Sequence, residues 1–322
     1  MSPTRLETWA TCPFKYFLGN VLQLAALEKP EDITVISPLE RGSLVHAILE
    51  KFIVEANAQD ALPSPGSPWS ERDHQRLRAI TEDEFRSAEV RGVTGKYLLW
   101  EMAKQDIRED LARFLAEESQ LRADMHTGRV LAEARFGLGG ESPEVEDPTT
   151  GLRFRGIIDR VDISADGESV LVTDYKTGSS SPYSALDKDP IDRGKRLQLG
   201  IYSLAAQRLF PNATKVRAAY WFTSAGGGFK LLPSEYFDIE DSDTAQRFRD
   251  GVSTVVEGIR TGVFPANPGS DSDHNNCTYC DFKNLCSSRR LDAWERKKTD
   301  SQAAIYLELA EDTQADAQGG DK

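Results

Sequence analysis

Two short β-type runs on either side of Asp166-Gly167 constrain the fold of this 322-residue chain more than any other feature. The runs are Leu152 to Ser164 and Ser169 to Tyr175, and both are rich in β-branched residues. An Asp-Gly pair between such runs predicts a two-residue hairpin turn of type I′, because that turn needs positive φ at both central positions. The predicted hairpin pairs residues whose numbers sum to 333, as those of Asp166 and Gly167 do, and it places Asp159 directly opposite Asp174.

The predicted hairpin carries a charge arrangement that a sequence selected only for stability would avoid. Side chains alternate along a strand, so Asp159, Asp174 and Lys176 lie on one face. Directly opposed Cβ atoms are about 4.5 to 5.5 Å apart, and two carboxylates at that separation repel each other. A divalent cation between them removes the repulsion, and hard oxygen ligands suit Mg²⁺ or Mn²⁺.

The same arrangement predicts a reaction. A bound metal ion polarises a phosphodiester and acidifies a water, and Lys176 can orient that water or neutralise charge on the phosphate. The backbone carbonyl of Tyr175 offers a further metal ligand. An Asp-x-Lys triplet alone is common in proteins, and it is the opposed Asp159 that favours a catalytic site.

Helical and strand patterns both occur along the chain and predict an α/β fold. Ser37-Pro38-Leu39-Glu40 is a capping box with proline in the first turn, and an apolar stripe at helical spacing follows it. A Pro/Ser/Gly linker at 62–68 precedes two charged amphipathic segments that predict helices. Strands are expected near 129–138, 215–223 and 229–237, and helices near 196–209 and 243–261.

Composition limits the classes of protein that the chain can belong to. No apolar run approaches the roughly 20 residues that span a bilayer, and the N-terminus lacks the apolar stretch of a signal peptide, so we expect a cytoplasmic protein without membrane contact. The net charge of −13 argues against a protein that coats nucleic acid through overall charge. It does not exclude a nuclease, because a local basic strip can still guide a strand.

Four cysteines in a reducing compartment indicate a metal or cluster site rather than disulfides. Cys277, Cys280 and Cys286 follow a C-x2-C-x5-C pattern, and Cys12 lies near the other end of the chain. Four cysteinates can hold zinc or a four-iron four-sulfur cluster, and the spacing alone slightly favours zinc. Cysteines that serve only as small buried hydrophobes are a further alternative.

Several short motifs in order resemble the RecB-like branch of the PD-(D/E)XK nuclease superfamily, most closely its AddB-type and CRISPR-associated iron–sulfur exonucleases. The motifs are Leu6 to Phe17, Arg41 to His46, Gly156 to Asp162, Asp174 to Gly178, Gln198 to Tyr202 and the C-terminal cysteines. They extend over nearly the whole chain, and several motifs in order are more specific than any one of them. The proline that names the superfamily is absent, but this branch accepts Ile158 before Asp159.

The resemblance implies roles for particular residues. It implies that His46, Asp159 and Asp174 bind metal, that Lys176 is catalytic, and that Gln198 and Tyr202 line the site. Without it, His46 is more simply a hydrogen-bonded core histidine, and Gln198 and Tyr202, one helical turn apart, cap the sheet. Glu133, on a neighbouring predicted strand, could reach the site, but a solvent-exposed strand glutamate fits the pattern equally well, so Glu133 is not included in the predicted site.

The resemblance also implies a fold and a second cofactor. The fold is a restriction-endonuclease-like core, a central mixed sheet flanked by helices, with residues 57–128 as a helical insertion. A 4Fe–4S cluster on Cys12, Cys277, Cys280 and Cys286 would join the N- and C-terminal ends. Residues 1–300 would form a single nuclease domain, and residues 301–322 an acidic, disordered tail.

These features together predict a Mg²⁺- or Mn²⁺-dependent deoxyribonuclease, an exonuclease of single strands or ends in DNA-end processing and recombinational repair. The chain has no Walker A motif, and the nucleases that it resembles often work beside a helicase, so a helicase subunit or domain is the expected partner. Two alternatives stay open. One is a DNA-binding or scaffold module without hydrolysis, stabilised by an iron–sulfur or zinc site, and the other is a zinc-stabilised protein-interaction domain.

Basic residues concentrated around the predicted site are candidates for phosphate contacts. They are Arg41, Arg153, Arg155, Arg160, Arg193, Lys195 and Arg196, with two short basic runs near the C-terminus at 289–290 and 296–298. Surface lysines and arginines more often only keep a protein surface hydrated, so a phosphate contact by any one of them is an expectation for the structure to test.

Overall fold

A five-stranded mixed sheet forms the centre of the molecule in a computed structural model that describes residues 1–25, 33–269 and 275–311. The strands are β1 (Thr127–Phe136), β4 (Gly156–Ser164), β5 (Ser169–Lys176), β6 (Lys215–Phe222) and β7 (Leu231–Asp238). They lie in the order β1-β4-β5-β6-β7, and only the β5–β6 pair is parallel. A separate two-stranded ribbon pairs β2 (Val145–Glu146) with β3 (Arg153–Phe154). The predicted mixed sheet is therefore confirmed.

The register of the β4–β5 hairpin is the predicted one. The pairs Arg160–Thr173 and Ile163–Val170 frame the ladder, and in each the residue numbers sum to 333. The predicted turn type was wrong, because φ is positive at Gly167 (76°) but, within the described chain, not at Asp166. Asp166 instead uses Oδ1 to accept the backbone N–H of Glu168 at 2.9 Å. The resulting four-residue connection is centred on the same point as a two-residue one, so the register is unchanged.

Three helices cover one face of the sheet. They are α3 (Pro38–Ala58), α4 (Glu71–Val90) and α5 (Tyr97–Asp124). Ser37 accepts the backbone N–H of Glu40 at 3.1 Å, as expected of an N-cap, and the apolar stripe of α3 is buried. This layer packs on Leu171, Tyr175 and Trp221 of the sheet. None of the helices in the described ranges is long and apolar enough to cross a membrane.

The opposite face is covered by one N-terminal helix and by helices from the C-terminal half of the chain. They are α1 (Pro3–Thr11), α6 (Gln198–Leu209), α7 (Ser242–Arg260) and α9 (Ala304–Ala310), with the short α2 (Pro13–Tyr16) and α8 (Arg290–Lys297) nearby. Val170 and Val172 of β5 and Phe222 of β6 form part of this core. The α1·α7 and α7·α9 contacts bring the two ends of the described chain together.

The predicted start of the disordered tail at residue 301 was wrong. Residues 301–303 form a 3₁₀ turn, and α9 follows with Tyr306 fully buried. The Tyr306 ring packs edge-to-face on Trp9 with centroids 5.4 Å apart, because its apolar surface completes the core beside α1. The remainder of the predicted tail, 312–322, lies outside the described residues.

A buried ionic network joins the helical insertion to the back of β4. Arg160 contacts Asp162 and Glu118, and Glu118 also contacts Arg122, with N–O distances of 2.6 to 3.0 Å. All four side chains are almost completely inaccessible to solvent. The prediction that Arg160 contacts phosphate was therefore wrong, because strand alternation turns it to the face opposite Asp159.

We expect Glu118→Ala to destabilise the protein by about 3 to 5 kcal/mol, because it leaves two buried guanidinium groups without their shared carboxylate. Glu117→Ala is the matched control, since Glu117 lies next to Glu118 on α5 but pairs with Arg113 on the surface, and its loss should change stability by about 1 kcal/mol or less. Unfolding in guanidinium chloride gives the free energy of unfolding of both variants. Equal midpoints for the two variants would contradict the assigned role of the network.

Candidate functional site

Asp159 and Asp174 lie where the β4–β5 ladder ends. The last paired residues are Arg160 and Thr173, so the two aspartates occupy the next register position. Oδ2 of Asp159 accepts the backbone N–H of Tyr175 at 2.8 Å. Beyond the ladder, the Asp159 carboxylate thus accepts the hydrogen bond from β5 that a backbone carbonyl of β4 would otherwise accept.

Asp174 is buried and has a partner on each carboxylate oxygen. Oδ1 accepts a hydrogen bond from Nε2 of Gln198 at 2.6 Å, and Oδ2 lies 2.5 Å from Nζ of Lys176. Burial and the charge of Asp159 raise the pKa of Asp174, while Lys176 and His46 oppose that shift. Burial alone would lower the pKa of Lys176, but Asp174 outweighs it and the pKa is raised. Lys176 therefore stays positively charged beside the carboxylates.

His46 reaches the same point from α3. Its Nδ1 lies 3.3 Å from Oδ2 of Asp159, and its Nε2 lies 3.0 Å from the backbone carbonyl oxygen of Tyr175. Both partners are acceptors, so a doubly protonated ring satisfies both. Burial lowers the pKa of His46, but Asp159 outweighs burial and the pKa is raised.

Gln198 and Tyr202 project from the first turns of α6, as their spacing predicts. Nε2 of Gln198 donates to the hydroxyl of Tyr202 at 2.9 Å as well as to Asp174. The structure thus brings together all the residues of the predicted centre: His46, Asp159, Asp174, Tyr175, Lys176, Gln198 and Tyr202.

The four cysteines line one cavity of about 330 Å³ between the N-terminal helices and the C-terminal segment. Cys12 contributes from one side, and Cys277, Cys280 and Cys286 contribute from the other, with Phe14 and Phe282 among the apolar lining residues. Burial raises the pKa of Cys12 to about 11. The thiol is therefore protonated unless a bound metal displaces the proton.

The chain matches the family model of the PD-(D/E)XK nuclease superfamily over residues 1–287. It belongs to this superfamily. The similar proteins include an ATP-dependent helicase/deoxyribonuclease subunit of Lachnoclostridium phytofermentans, which is 30% identical over 352 aligned positions covering 88% of this chain and 29% of that protein. The protein of the same name from Moorella thermoacetica is 27% identical over 214 positions, covering 64% of this chain and 17% of that protein. The chain thus spans less than a third of either relative's length.

Similarity to a solved structure is weaker. The crystal structure of SSO0001 matches with a TM-score of 0.27 at 15% identity, covering 86% of this chain and 95% of that chain. A TM-score this low does not establish a shared fold.

The chemistry of the donors in this PD-(D/E)XK centre fits a divalent cation. Two carboxylates, an imidazole and a backbone carbonyl converge, and Oδ2 of Asp174 is buried without a well-aligned hydrogen-bond donor. Across residues 1–25, 33–269 and 275–311, however, no three His, Cys, Asp or Glu side chains are close enough together to hold a metal as they stand. His46 and Lys176 balance the charges of the two carboxylates.

Glu133 is part of the centre, although it was left out of the predicted site. It faces Asp159 across the β1–β4 pair, between the ladder pairs Ala132–Arg160 and Ala134–Ile158. Its φ is 52°, which is strained for a non-glycine residue within a strand. Burial, then Asp159 and Glu50, raise the pKa of Glu133 to about 7. The residue pattern of β1 does not predict a positive φ at Glu133.

Glu7 is a second residue that the sequence reasoning missed. Its Oε1 accepts the backbone N–H of Gln198 at 2.9 Å, across a sequence separation of 191 residues. The only available signal was its place in the first family motif, between Leu6 and Thr8, because the pairing of α1 with α6 is a tertiary contact.

Two cavities share the lining residues 177–179, which directly follow Lys176. One, of about 560 Å³, is lined by His46, Glu50 and Lys176. The other, of about 540 Å³, is lined by Arg41 and Arg113 together with the acidic residues Asp106, Glu109 and Asp110. Arg41 is ion-paired with Asp110 at 3.0 Å. Arg196 lies over the Tyr183 ring at 3.9 Å, at the edge of the first cavity.

We expect Glu133→Gln to raise the melting temperature in metal-free buffer at pH 8 and to change it little at pH 5. A carboxyl group with a raised pKa loses stability as pH rises from its unfolded value of about 4.5 to its folded value of about 7, and glutamine abolishes that loss. Calorimetry at both pH values, with EDTA, measures the difference. Glu55→Gln on the exposed face of α3 is the control, and an equal shift at both pH values would argue against ionisation of Glu133 as the cause.

Proposed function

We propose that this chain is a metal-dependent nuclease that hydrolyses phosphodiester bonds of DNA. The observation that supports this most directly is the convergence of Asp159, Asp174, Lys176 and His46 at one end of the sheet. A structural ion cluster would not need two carboxylates beside a third, strained one. Membership of the PD-(D/E)XK nuclease superfamily supports the same reaction class.

The residues have separate roles in the proposed reaction. Asp159, Asp174, His46 and the carbonyl of Tyr175 would hold Mg²⁺ or Mn²⁺. The ion, when bound, supplies a Lewis acid for the phosphate and lowers the pKa of a water. The ammonium of Lys176 stabilises negative charge that develops on the phosphate oxygens. Gln198, supported by Tyr202, fixes the rotamer of Asp174 through the bond to Oδ1.

A DNA strand is the substrate that the surroundings favour. Both cavities are lined by Thr177, the residue directly after Lys176, so a strand that crosses the centre can extend into both. Arg41, Arg113 and Arg196 offer positive charge close to this path, as backbone contacts require. The related proteins are named helicase/deoxyribonuclease subunits. We therefore extend the proposal to an exonuclease of strand ends that works with a helicase in DNA-end processing and recombinational repair.

The cysteine cavity is proposed to hold a 4Fe–4S cluster on Cys12, Cys277, Cys280 and Cys286, with zinc as the alternative. All four thiols line one cavity with apolar walls, which supports four-cysteinate ligation. Cys12 directly follows α1, and the other three precede α8. A group bound there would tie the ends of the chain together and stabilise the fold that carries the active site.

We expect Asp174→Asn and Lys176→Ala each to reduce DNA cleavage by about 100-fold or more, as losses of charge-stabilising groups at active sites do. Lys188→Ala, at an exposed position, should leave the rate unchanged. End-labelled single- and double-stranded DNA, with Mg²⁺, Mn²⁺ or EDTA, gives the rates and the preferred end. Cleavage by both site variants at the wild-type rate would overturn the proposed active site.

We expect anaerobically purified protein to contain iron and sulfide, and Cys280→Ser to lose the visible absorbance and several degrees of melting temperature. Ser287→Ala is the control, since Ser287 lines the same cavity without offering a thiol. Metal analysis distinguishes the alternatives. Protein that contains zinc but no iron would favour the zinc site over the cluster. A Cys280→Ser variant with the metal content and melting temperature of the wild type would contradict both kinds of site.

A further inference from the structure

Glu7 provides the cap that helix α6 lacks in its own sequence. α6 begins at Gln198, and the residue before it, Leu197, is buried in the core and has no polar side chain with which to cap the helix. Oε1 of Glu7 accepts the Gln198 N–H at 2.9 Å from the neighbouring helix α1. A carboxylate in this place satisfies an otherwise unpaired donor and complements the helix dipole.

The capped residue is the one whose side chain holds Asp174. Gln198 donates its backbone N–H to Glu7 and its side-chain Nε2 to Oδ1 of Asp174 at 2.6 Å. Gln198 therefore links Glu7 to Asp174, the proposed metal ligand, through two hydrogen bonds. A displacement of the first turn of α6 would move the amide that fixes the orientation of Asp174.

Glu7 is half-buried, and a carboxyl group at this position costs more to desolvate than a neutral cap would. Burial raises the pKa of Glu7, whereas Arg196, the Gln198 N–H and Lys176 oppose the shift. An asparagine or serine at position 197 would cap α6 without placing another carboxylate near Asp174. Glu7 instead places a further carboxyl group beside a centre that already contains Asp159, Asp174 and Glu133.

We propose that Glu7 is a positioning residue: it fixes the first turn of α6 so that Gln198 holds Oδ1 of Asp174, while Oδ2, which lies beside Lys176, is the oxygen that a cation would take. This inference rests on the proposed nuclease function. Loss of the acceptor would weaken the binding of the metal and slow turnover, without a direct effect on binding of DNA.

The test compares three substitutions of Glu7 in the full chain. Glu7→Leu fills nearly the same space but cannot accept a hydrogen bond, Glu7→Gln keeps the acceptor without the charge, and Glu7→Ala removes both. Thr4→Ala, on the exposed face of α1, is the control. Binding of Mn²⁺ without DNA is followed by electron paramagnetic resonance of the free ion, and kcat, KM for DNA and the melting temperature are measured separately.

We expect Glu7→Leu and Glu7→Ala to weaken Mn²⁺ binding by about 3- to 10-fold, the range that corresponds to one net hydrogen bond. Their kcat should fall, KM for DNA should stay the same, and Glu7→Gln should restore Mn²⁺ affinity to near the wild-type value. Should Glu7→Ala fail to fold, Glu7→Leu decides the question. Folded variants with a lower melting temperature but wild-type Mn²⁺ affinity would overturn the inference, as would a Glu7→Gln variant as weak as Glu7→Leu.

The two proposals fail in different ways. Wild-type protein that neither binds Mn²⁺ nor cleaves DNA would contradict the proposed function, and with it the role of Glu7. Wild-type protein that cleaves DNA, together with an inactive Asp174→Asn and a Glu7→Leu that binds Mn²⁺ normally, would contradict the role of Glu7 alone.

Discussion

The pairing of β4 with β5 is the interaction on which the rest of this structure depends. Its backbone ladder carries Asp159 and Asp174 to the same register position, where like charges are brought together rather than kept apart. β5 is also paired with β6 along its full length, from Ser169 to Lys176. Strands held on both sides cannot splay, so the repulsion has to be met by neighbouring groups.

Those neighbouring groups come from every layer of the fold. α3 supplies His46, β5 itself supplies Lys176, and α6 supplies Gln198. Hydrogen bonds and cations in the protein offset the two carboxylates, and the raised pKa of Asp174 shows that burial still outweighs them. His46 and Lys176 balance Asp159 and Asp174, and Glu133 brings a third carboxyl group to the same place, which is why the charges fit the proposed metal-dependent reaction.

Because side chains alternate along β4, neighbouring residues of this strand face either the centre or the helical insertion. Asp159 belongs to the centre, whereas Arg160, the next residue, lies on the other face and is locked to Glu118 of α5. The helical insertion, to which the sequence assigned no role, therefore forms the layer behind the strand that carries Asp159. α1 has a similar part on the other face, where Glu7 meets α6 and Cys12 meets the C-terminal cysteines.

The sequence by itself determined the hairpin register, the helix starts and the face that Asp159, Asp174 and Lys176 share, because turn position, strand alternation and capping are local properties. His46, Gln198 and Tyr202 were assigned to the site only by the family resemblance. The sequence left Glu133 open, missed Glu7, and failed at Arg160 and at the start of the tail. Each of these depends on a partner far along the chain: Glu118 for Arg160, Asp159 for Glu133, Gln198 for Glu7, and Trp9 for Tyr306. Only the tertiary structure decided these, because burial and the pairing of distant elements fix which charged side chains face the centre and which support it.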